Sequence, residues 1–273
     1  MIEKDLFSLK GKVIVVTGAT GVLGYSFIKA ISHAGASVGV LGRNEKVANE
    51  RVEEINSAGG KAIALIADVQ KEAALKECCT KIIHAFGKID GLVNAAGGNI
   101  PEAVLQPGDD IFAMNVEGMK KAMDVNLWGT VLPTLIFGKA ILENGNGSIV
   151  NISSVSVPRT LTKVLGYSMG KSAVESFNKW MAVELANRYG DKIRMNALVP
   201  GFFLTEQNRT LLTNEDGSNT NRGNSVITQT PFKRFGNPDE LAGALVWLLS
   251  DASKFVTGTT ITVDGGFTAF SGV

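Results

Sequence analysis

Short apolar runs rich in Val and Ile alternate along the chain with longer stretches whose apolar residues recur at helical spacing. The runs Lys12–Thr17, Ser37–Leu41, Ala62–Ile66, Gly91–Asn94, Ser148–Ile152, Ile193–Leu198 and Thr260–Val263 are too short for helices. Each is bounded by Gly, Asn, Asp or Ser, and each predicts a strand. Helices are predicted over Val22–Ala34, Lys46–Ala58, Lys71–Phe86, Val125–Leu142, Ser168–Tyr189 and Asp239–Leu249. Strands apolar on both faces and separated by helices imply an α/β fold of the Rossmann type. The expectation is a doubly wound parallel sheet of about seven strands with helices on both faces, in a single domain over residues 1–273.

Two stretches interrupt the alternation. Residues 98–123 carry Pro101, Pro107 and an Asp109-Asp110 pair, and residues 205–230 are polar and Asn-rich. Both follow the carboxyl ends of predicted strands, where open α/β sheets bind ligands. They are expected to be loop insertions over a binding cleft.

Charge and composition narrow the function classes. Lys+Arg 27 against Asp+Glu 26 leaves a net charge of +1, which offers no basic surface for nucleic acid or an anionic membrane. Uninterrupted apolar runs fall short of the ~20 residues of a membrane helix. The charged start Met1-Ile2-Glu3-Lys4-Asp5 is unlike a signal peptide, so the cytoplasm is the expected compartment. The two cysteines, Cys78 and Cys79, are adjacent, which suits neither a disulfide nor a metal-ligand spacing, and no metal site is expected.

The first predicted strand runs into Thr17-Gly18-Ala19-Thr20-Gly21-Val22-Leu23-Gly24 and then a helix. Glycines there let the backbone approach a pyrophosphate, and the helix N-terminus offers free N–H groups to that anion. Gly18, Thr20, Gly21, Leu23 and Gly24 are thus candidate dinucleotide contacts. Asp68 and Val69 end the third strand, within reach of an adenine amine, and Asn94, Ala95 and Ala96 end the fourth. The second strand ends in Gly42-Arg43-Asn44 without the carboxylate that would hold the ribose 2′-hydroxyl of NAD. Gly42 and Arg43 therefore lean toward NADP, with Asn44 a further candidate contact, although an exposed arginine can also stack on adenine.

Tyr167 and Lys171 stand four apart in a helical stretch and share one face. A nearby ammonium favours phenolate, so the pair predicts a tyrosine with a lowered pKa that can exchange a proton with a substrate oxygen.

These features, taken in order, resemble the short-chain dehydrogenase/reductase family over nearly the whole chain. The matching residues are the Thr17–Gly24 turn, Asn94-Ala95-Ala96-Gly97, Asn126, Asn151-Ile152-Ser153-Ser154, Tyr167-x-x-x-Lys171, Arg194-Met195-Asn196-Ala197, Pro200-Gly201 and Val263-Asp264-Gly265-Gly266. The resemblance implies an NAD(P)(H)-dependent oxidoreductase. Ser154, thirteen residues before Tyr167, would hydrogen-bond the substrate oxygen. Tyr167 would pass the proton, Lys171 would bind the nicotinamide ribose, and Asn126 would hold a water in a proton relay. Pro200, Gly201, Phe203 and Thr205 would flank the nicotinamide, and a homotetramer is implied. One departure is that Val22 replaces the middle glycine of the family's usual turn and Gly21 precedes it. The spacing Gly18-x-x-Gly21-x-x-Gly24 is similar to the family's longer-chain branch, while the short length and the Val263–Gly266 signature are not.

Pro200–Arg209, Gly97-Gly98-Asn99 and the tail Phe267–Val273 resemble a sugar-acid branch of the family, D-mannonate oxidoreductase or fructuronate reductase, in which NAD is the implied cofactor. A hexuronate substrate needs a cation for its carboxylate and partners for its hydroxyls. Arg159 and Arg209 are the candidate cations; Asn99, Gln207 and Asn208 are candidates for the hydroxyls, and Phe202 for the wall. Gluconate or a 3-oxoacyl thioester as substrate stays open, as does a dinucleotide sensor without catalysis.

Overall fold

The computed structural model describes residues Asp5–Val273 apart from Pro107, and the side chains of Glu206 and Gln207 lie outside the described set. Seven parallel strands form one sheet in the order β3-β2-β1-β4-β5-β6-β7. They are β1 Val13–Thr17, β2 Ser37–Gly42, β3 Lys61–Ile66, β4 Gly91–Asn94, β5 Gly147–Ile152, β6 Ile193–Pro200 and β7 Thr260–Val263. The strand order reverses between β1 and β4, which opens a crevice at their carboxyl ends.

Alternation along β1 divides the core in two. Ile14 and Val16 face α1 (Val22–His33), α2 (Glu45–Ser57) and α9 (Ala242–Leu249), through Phe27, Ile28, Ile31 and Leu245. Val13 and Val15 face α3 (Glu72–Phe86), α5 (Gly129–Glu143) and α6 (Leu165–Tyr189), through Leu75, Ile82, Phe137 and Leu185. Each fully buried side chain of this size contributes about 1.5–3 kcal/mol, so both layers fasten the sheet. Cys78 and Cys79 belong to the second layer and are buried, and burial pushes the Cys78 thiol up to about 11, away from thiolate chemistry.

Neither insertion is wholly loop. The first folds back into α4 (Val116–Met123), which continues through a π-helical turn, Asp124–Trp128, into α5. The second contains α7 (Glu206–Leu212) and α8 (Asn221–Gln229). The sequence pattern hid these helices because each is only about two turns long, too short to show a sustained helical period. The helical run Val116–Glu143 is, by length and composition, apolar enough to cross a membrane, yet half of its apolar window is buried within the fold.

Candidate active site

The crevice beside β1 and β4 opens into a cleft of about 700 Å³. At one end lies the glycine turn. Gly18 has a left-handed φ of +64°, and a Cβ there would come within 2.7 Å of the Ala95 carbonyl oxygen. At Gly24 a Cβ would lie 2.2 Å from the Gly18 carbonyl oxygen, whereas at Gly21 the nearest approach is an ordinary 3.4 Å. Gly18 and Gly24 are thus the glycines that packing demands. Val22 is the first residue of α1, and Gly21 caps it with no side-chain acceptor on its first N–H groups. Close backbone and an uncapped helix start fit a dinucleotide pyrophosphate. Thr20 and Leu23 line the same wall.

Two residues that the sequence reading did not single out hold this turn. The Thr17 hydroxyl accepts from the Ala95 and Ala96 N–H groups at 3.1 Å each, tying β1 to the end of β4. Arg51, from α2, donates to the carbonyls of Ala19 and Gly21 and stacks 4.6 Å from the Tyr25 ring centroid. Nothing local in the sequence separates Arg51 from a solvated helix residue.

At the end of β2, Gly42 packs so closely on Thr20 that a Cβ would lie 2.6 Å from the Thr20 methyl. Arg43 is exposed, with Asp68 at 4.0 Å, and both line the cleft with Asn44 and Val69. The Asn44 side chain caps α2 by accepting from Val47 N–H. Asn94 is a correction. Its amide turns inward, donating to Thr134 and Asn151 at 2.9 Å, and the cleft is lined instead by its neighbours Ala95 and Ala96. Asn94 is the last residue of β4, and the strand's alternation fixes which way its side chain points.

Ser154, Tyr167 and Lys171 come together in the cleft, away from the glycine turn. Ser154 follows β5, and Tyr167 and Lys171 lie in the first turns of α6. Ser153 points elsewhere, donating to Glu175 at 2.6 Å. Lys171 is 4% exposed; its ammonium donates to the Ile152 carbonyl at 2.7 Å, and burial pulls its pKa down to about 8. The spacing predicts a phenol lowered by Lys171, and the structure reverses the sign. Burial pushes the Tyr167 phenol above its ordinary range, against a hydrogen bond with Ser154 that pulls it down. The ammonium sits 5.8 Å from the Tyr167 ring centroid, and its hydrogen bond goes to the Ile152 carbonyl.

Asn126, fully buried in the π-helical turn, stands behind the cleft wall. Its amide donates to the Gly98 and Ala122 carbonyls at 2.8 and 2.7 Å, and its carbonyl oxygen accepts from Gly98 N–H at 3.1 Å. At Gly97 a Cβ would lie 2.6 Å from that oxygen and 3.3 Å from the Lys171 nitrogen. Asn126 thus clamps the Gly97-Gly98 turn against Lys171.

A family model described as enoyl-(acyl carrier protein) reductase matches residues 18–268. The uncharacterised oxidoreductase UxuB of Bacillus subtilis (strain 168) is 40% identical over 97% of this chain and 98% of its own. The chain belongs to the short-chain dehydrogenase/reductase family. As a member of that family it is an NAD(P)-dependent oxidoreductase. A solved structure from Haemophilus influenzae, provisionally named a D-mannonate oxidoreductase and holding NAD, is 38% identical with a TM-score of 0.89, over 97% of this chain and 98% of that one. A gluconate 5-dehydrogenase from Burkholderia cenocepacia, solved with NADP and tartrate, is 31% identical with a TM-score of 0.85, over 97% and 98%.

In this dehydrogenase, the far end of the cleft revises the substrate candidates. Asn99 and Phe202 line it, as do Pro200, Gly201, Phe203 and Thr205. Asn208 lines it too, but its amide is engaged in the cap of α7, accepting from Thr205 N–H and donating to the Phe203 carbonyl at 2.8 Å each. The Gln207 side chain lies outside the described residues. Arg159 is a correction, because it donates to the Phe267 and Phe270 carbonyls at 2.8 and 2.6 Å and stacks on the Phe267 ring, so it holds the C-terminal tail. Arg209 is likewise corrected, since it is exposed on α7 and does not line the cleft. The arginine that does line this end is Arg222, at the start of α8, which no motif marks.

Proposed function

We propose that the chain interconverts a sugar acid and its keto form, D-mannonate and D-fructuronate, by reversible hydride transfer with NAD(P). The supporting observation is the convergence of Ser154, Tyr167 and Lys171 on one cleft whose other end carries a glycine turn without room for a Cβ. Gly18, Gly21 and Gly24 would hold the pyrophosphate, Asp68 and Val69 the adenine, Lys171 the nicotinamide ribose, and Pro200, Gly201 and Thr205 the nicotinamide ring. Bound nicotinamide supplies the hydride acceptor or donor.

In the oxidative direction Tyr167 would first pass its own proton on through Lys171, and as the phenolate it then takes the hydroxyl proton as the carbon loses its hydride. In reduction it returns that proton to the new alkoxide. Ser154 holds the reacting oxygen in both directions. Because burial raises the phenol's pKa, Tyr167 rests protonated, suited to act as the acid in reduction. Lys171, with a pKa of about 8, can hand on a proton near neutral pH, and the Asn126 turn beside it is the relay route.

The sugar-acid reading draws on the likeness to the provisionally named D-mannonate oxidoreductase and to the gluconate 5-dehydrogenase. Gly42 and Arg43 support NADP, and the NAD-bound relative supports NAD. A panel of D-mannonate, D-gluconate and a 3-oxoacyl thioester, each with both nicotinamide cofactors, tests the reading; absence of turnover on every sugar acid overturns it. Self-association, with a tetramer as the expected state, is supported by apolar side chains exposed on the helical run from Asp124 through α5 and on α6, namely Trp128 at 50%, Leu135 at 52%, Trp180 at 63% and Val183 at 58%. Light scattering coupled to gel filtration measures that state. A cytoplasmic location is the corresponding expectation for the compartment.

A further inference from the structure

Arg222 reaches the cleft through a chain of packing choices. Thr220 caps α8 by accepting from Gly223 N–H, and its hydroxyl donates to the Leu211 carbonyl at 2.7 Å. At Gly223 a Cβ would lie 2.1 Å from the Leu212 carbonyl oxygen, so only glycine lets the first turn of α8 lie on the end of α7. Arg222, between these two residues, is therefore fixed at the cleft edge. Its guanidinium reaches across to the segment before α6, donating to the Thr162 hydroxyl at 3.2 Å and the Thr162 carbonyl at 3.4 Å.

The electrostatic setting is one-sided. Around the Tyr167 end, the described lining includes the apolar Leu161, Val164, Phe202 and Leu212; Lys171 is buried beside Tyr167 and tethered to the Ile152 carbonyl, and Arg222 is the cation at the rim. No acidic side chain lines this end among the described residues; Asp68 stands at the adenine end. Arg222 thus faces the cleft with neutral, long hydrogen bonds and no carboxylate among its partners. A guanidinium in a partly desolvated site gains most from a ligand carboxylate, which it can hold by two parallel bonds.

We propose that Arg222 anchors the substrate's carboxylate and so sets the preference for an acid over a neutral polyol. The inference rests on the sugar-acid reading above. Thr162 holds the guanidinium in place before the substrate arrives, and Tyr167 and Ser154 act at the other end of the same molecule. Arg159 and Arg209 do not compete for this role, being committed to the tail and to solvent.

The test is steady-state kinetics on D-mannonate for the wild type, Arg222→Gln and Arg222→Lys, with NAD(P)H affinity followed by fluorescence titration. The expected result is a KM at least tenfold higher in Arg222→Gln, a kcat that changes much less, and a KM in Arg222→Lys between the two. Cofactor affinity within twofold of wild type shows that the cleft is intact. A KM within twofold of wild type in Arg222→Gln overturns the anchor while leaving the sugar-acid reading standing. A fall confined to kcat also overturns the anchor. A wild type that turns over no hexonate overturns both.

Discussion

The Lys171 ammonium nitrogen lies 5.8 Å from the centroid of the Tyr167 ring while donating to the Ile152 carbonyl at 2.7 Å. The lysine is thus tethered to the end of β5, with the phenol hydrogen-bonded to Ser154 in the cleft. Tyr167→Phe removes the phenolic hydroxyl and keeps the ring. Turnover should fall by about 10²–10⁴-fold, the usual worth of a positioned acid–base group. NADH affinity, read by fluorescence titration, should hold; undiminished turnover would remove Tyr167 from the mechanism.

The buried Lys171 also carries a pH signature. Its folded pKa of about 8 lies below the ordinary value of 10.5, so between these two limits the unfolded chain binds more protons than the folded one. Its contribution to stability therefore rises with pH across that window, from a cost on the order of 3 kcal/mol at neutral pH. The melting temperature of Lys171→Met relative to wild type should accordingly decline from pH 8 to pH 10. A difference that grows with pH would contradict the burial of the ammonium.

Asn126 makes two donations and one acceptance, all buried. Asn126→Ala should lower stability by about 1–3 kcal/mol, the cost of leaving such partners unpaired. Asn126→Asp should be worse, because its carboxylate would face the Gly98 and Ala122 carbonyls without a proton to donate. Urea denaturation ranks the three proteins, and an Asp variant more stable than the Ala variant would refute the clamp.

The contact between Gly42 and Thr20 limits how cofactor choice can be changed. A Cβ at position 42 would lie 2.6 Å from the Thr20 methyl and 2.8 Å from its hydroxyl. Gly42→Asp alone should weaken NADH and NADPH binding together, by about five- to 150-fold if the overpacking costs 1–3 kcal/mol. Thr20→Ala combined with Gly42→Asp should recover NADH but not NADPH. Recovery of both cofactors would show that the added carboxylate does not read the ribose.

Much of the site was legible because it is built from short spacings. The turn Thr17–Gly24 and the pair Tyr167 and Lys171 each sit within one element or one loop, where backbone period fixes direction. What the pattern missed follows the same logic. Asn94 reads as a cleft residue until the pairing of β4 with β5 turns its amide toward Asn151. The helices α7 and α8 read as polar loop because their caps, Thr205 with Asn208 and Thr220 with Gly223, form with partners that no hydrophobic period reveals.

By itself, the amino-acid sequence determined the seven strands and the long helices between them, the parallel sheet, the glycine turn and the shared face of Tyr167 and Lys171. These depend on local periodicity and on residue types that few other arrangements use. Tertiary structure alone decided which arginine lines the cleft beside Tyr167 and which way the Tyr167 pKa moves. Arg159, Arg209 and Arg222 are alike in sequence. Contacts 108, 111 and 60 residues distant commit Arg159 to the tail and Arg222 to the cleft edge. The phenol's pKa follows from how deeply the assembled walls bury it, and burial is a property of the packed chain rather than of any stretch within it.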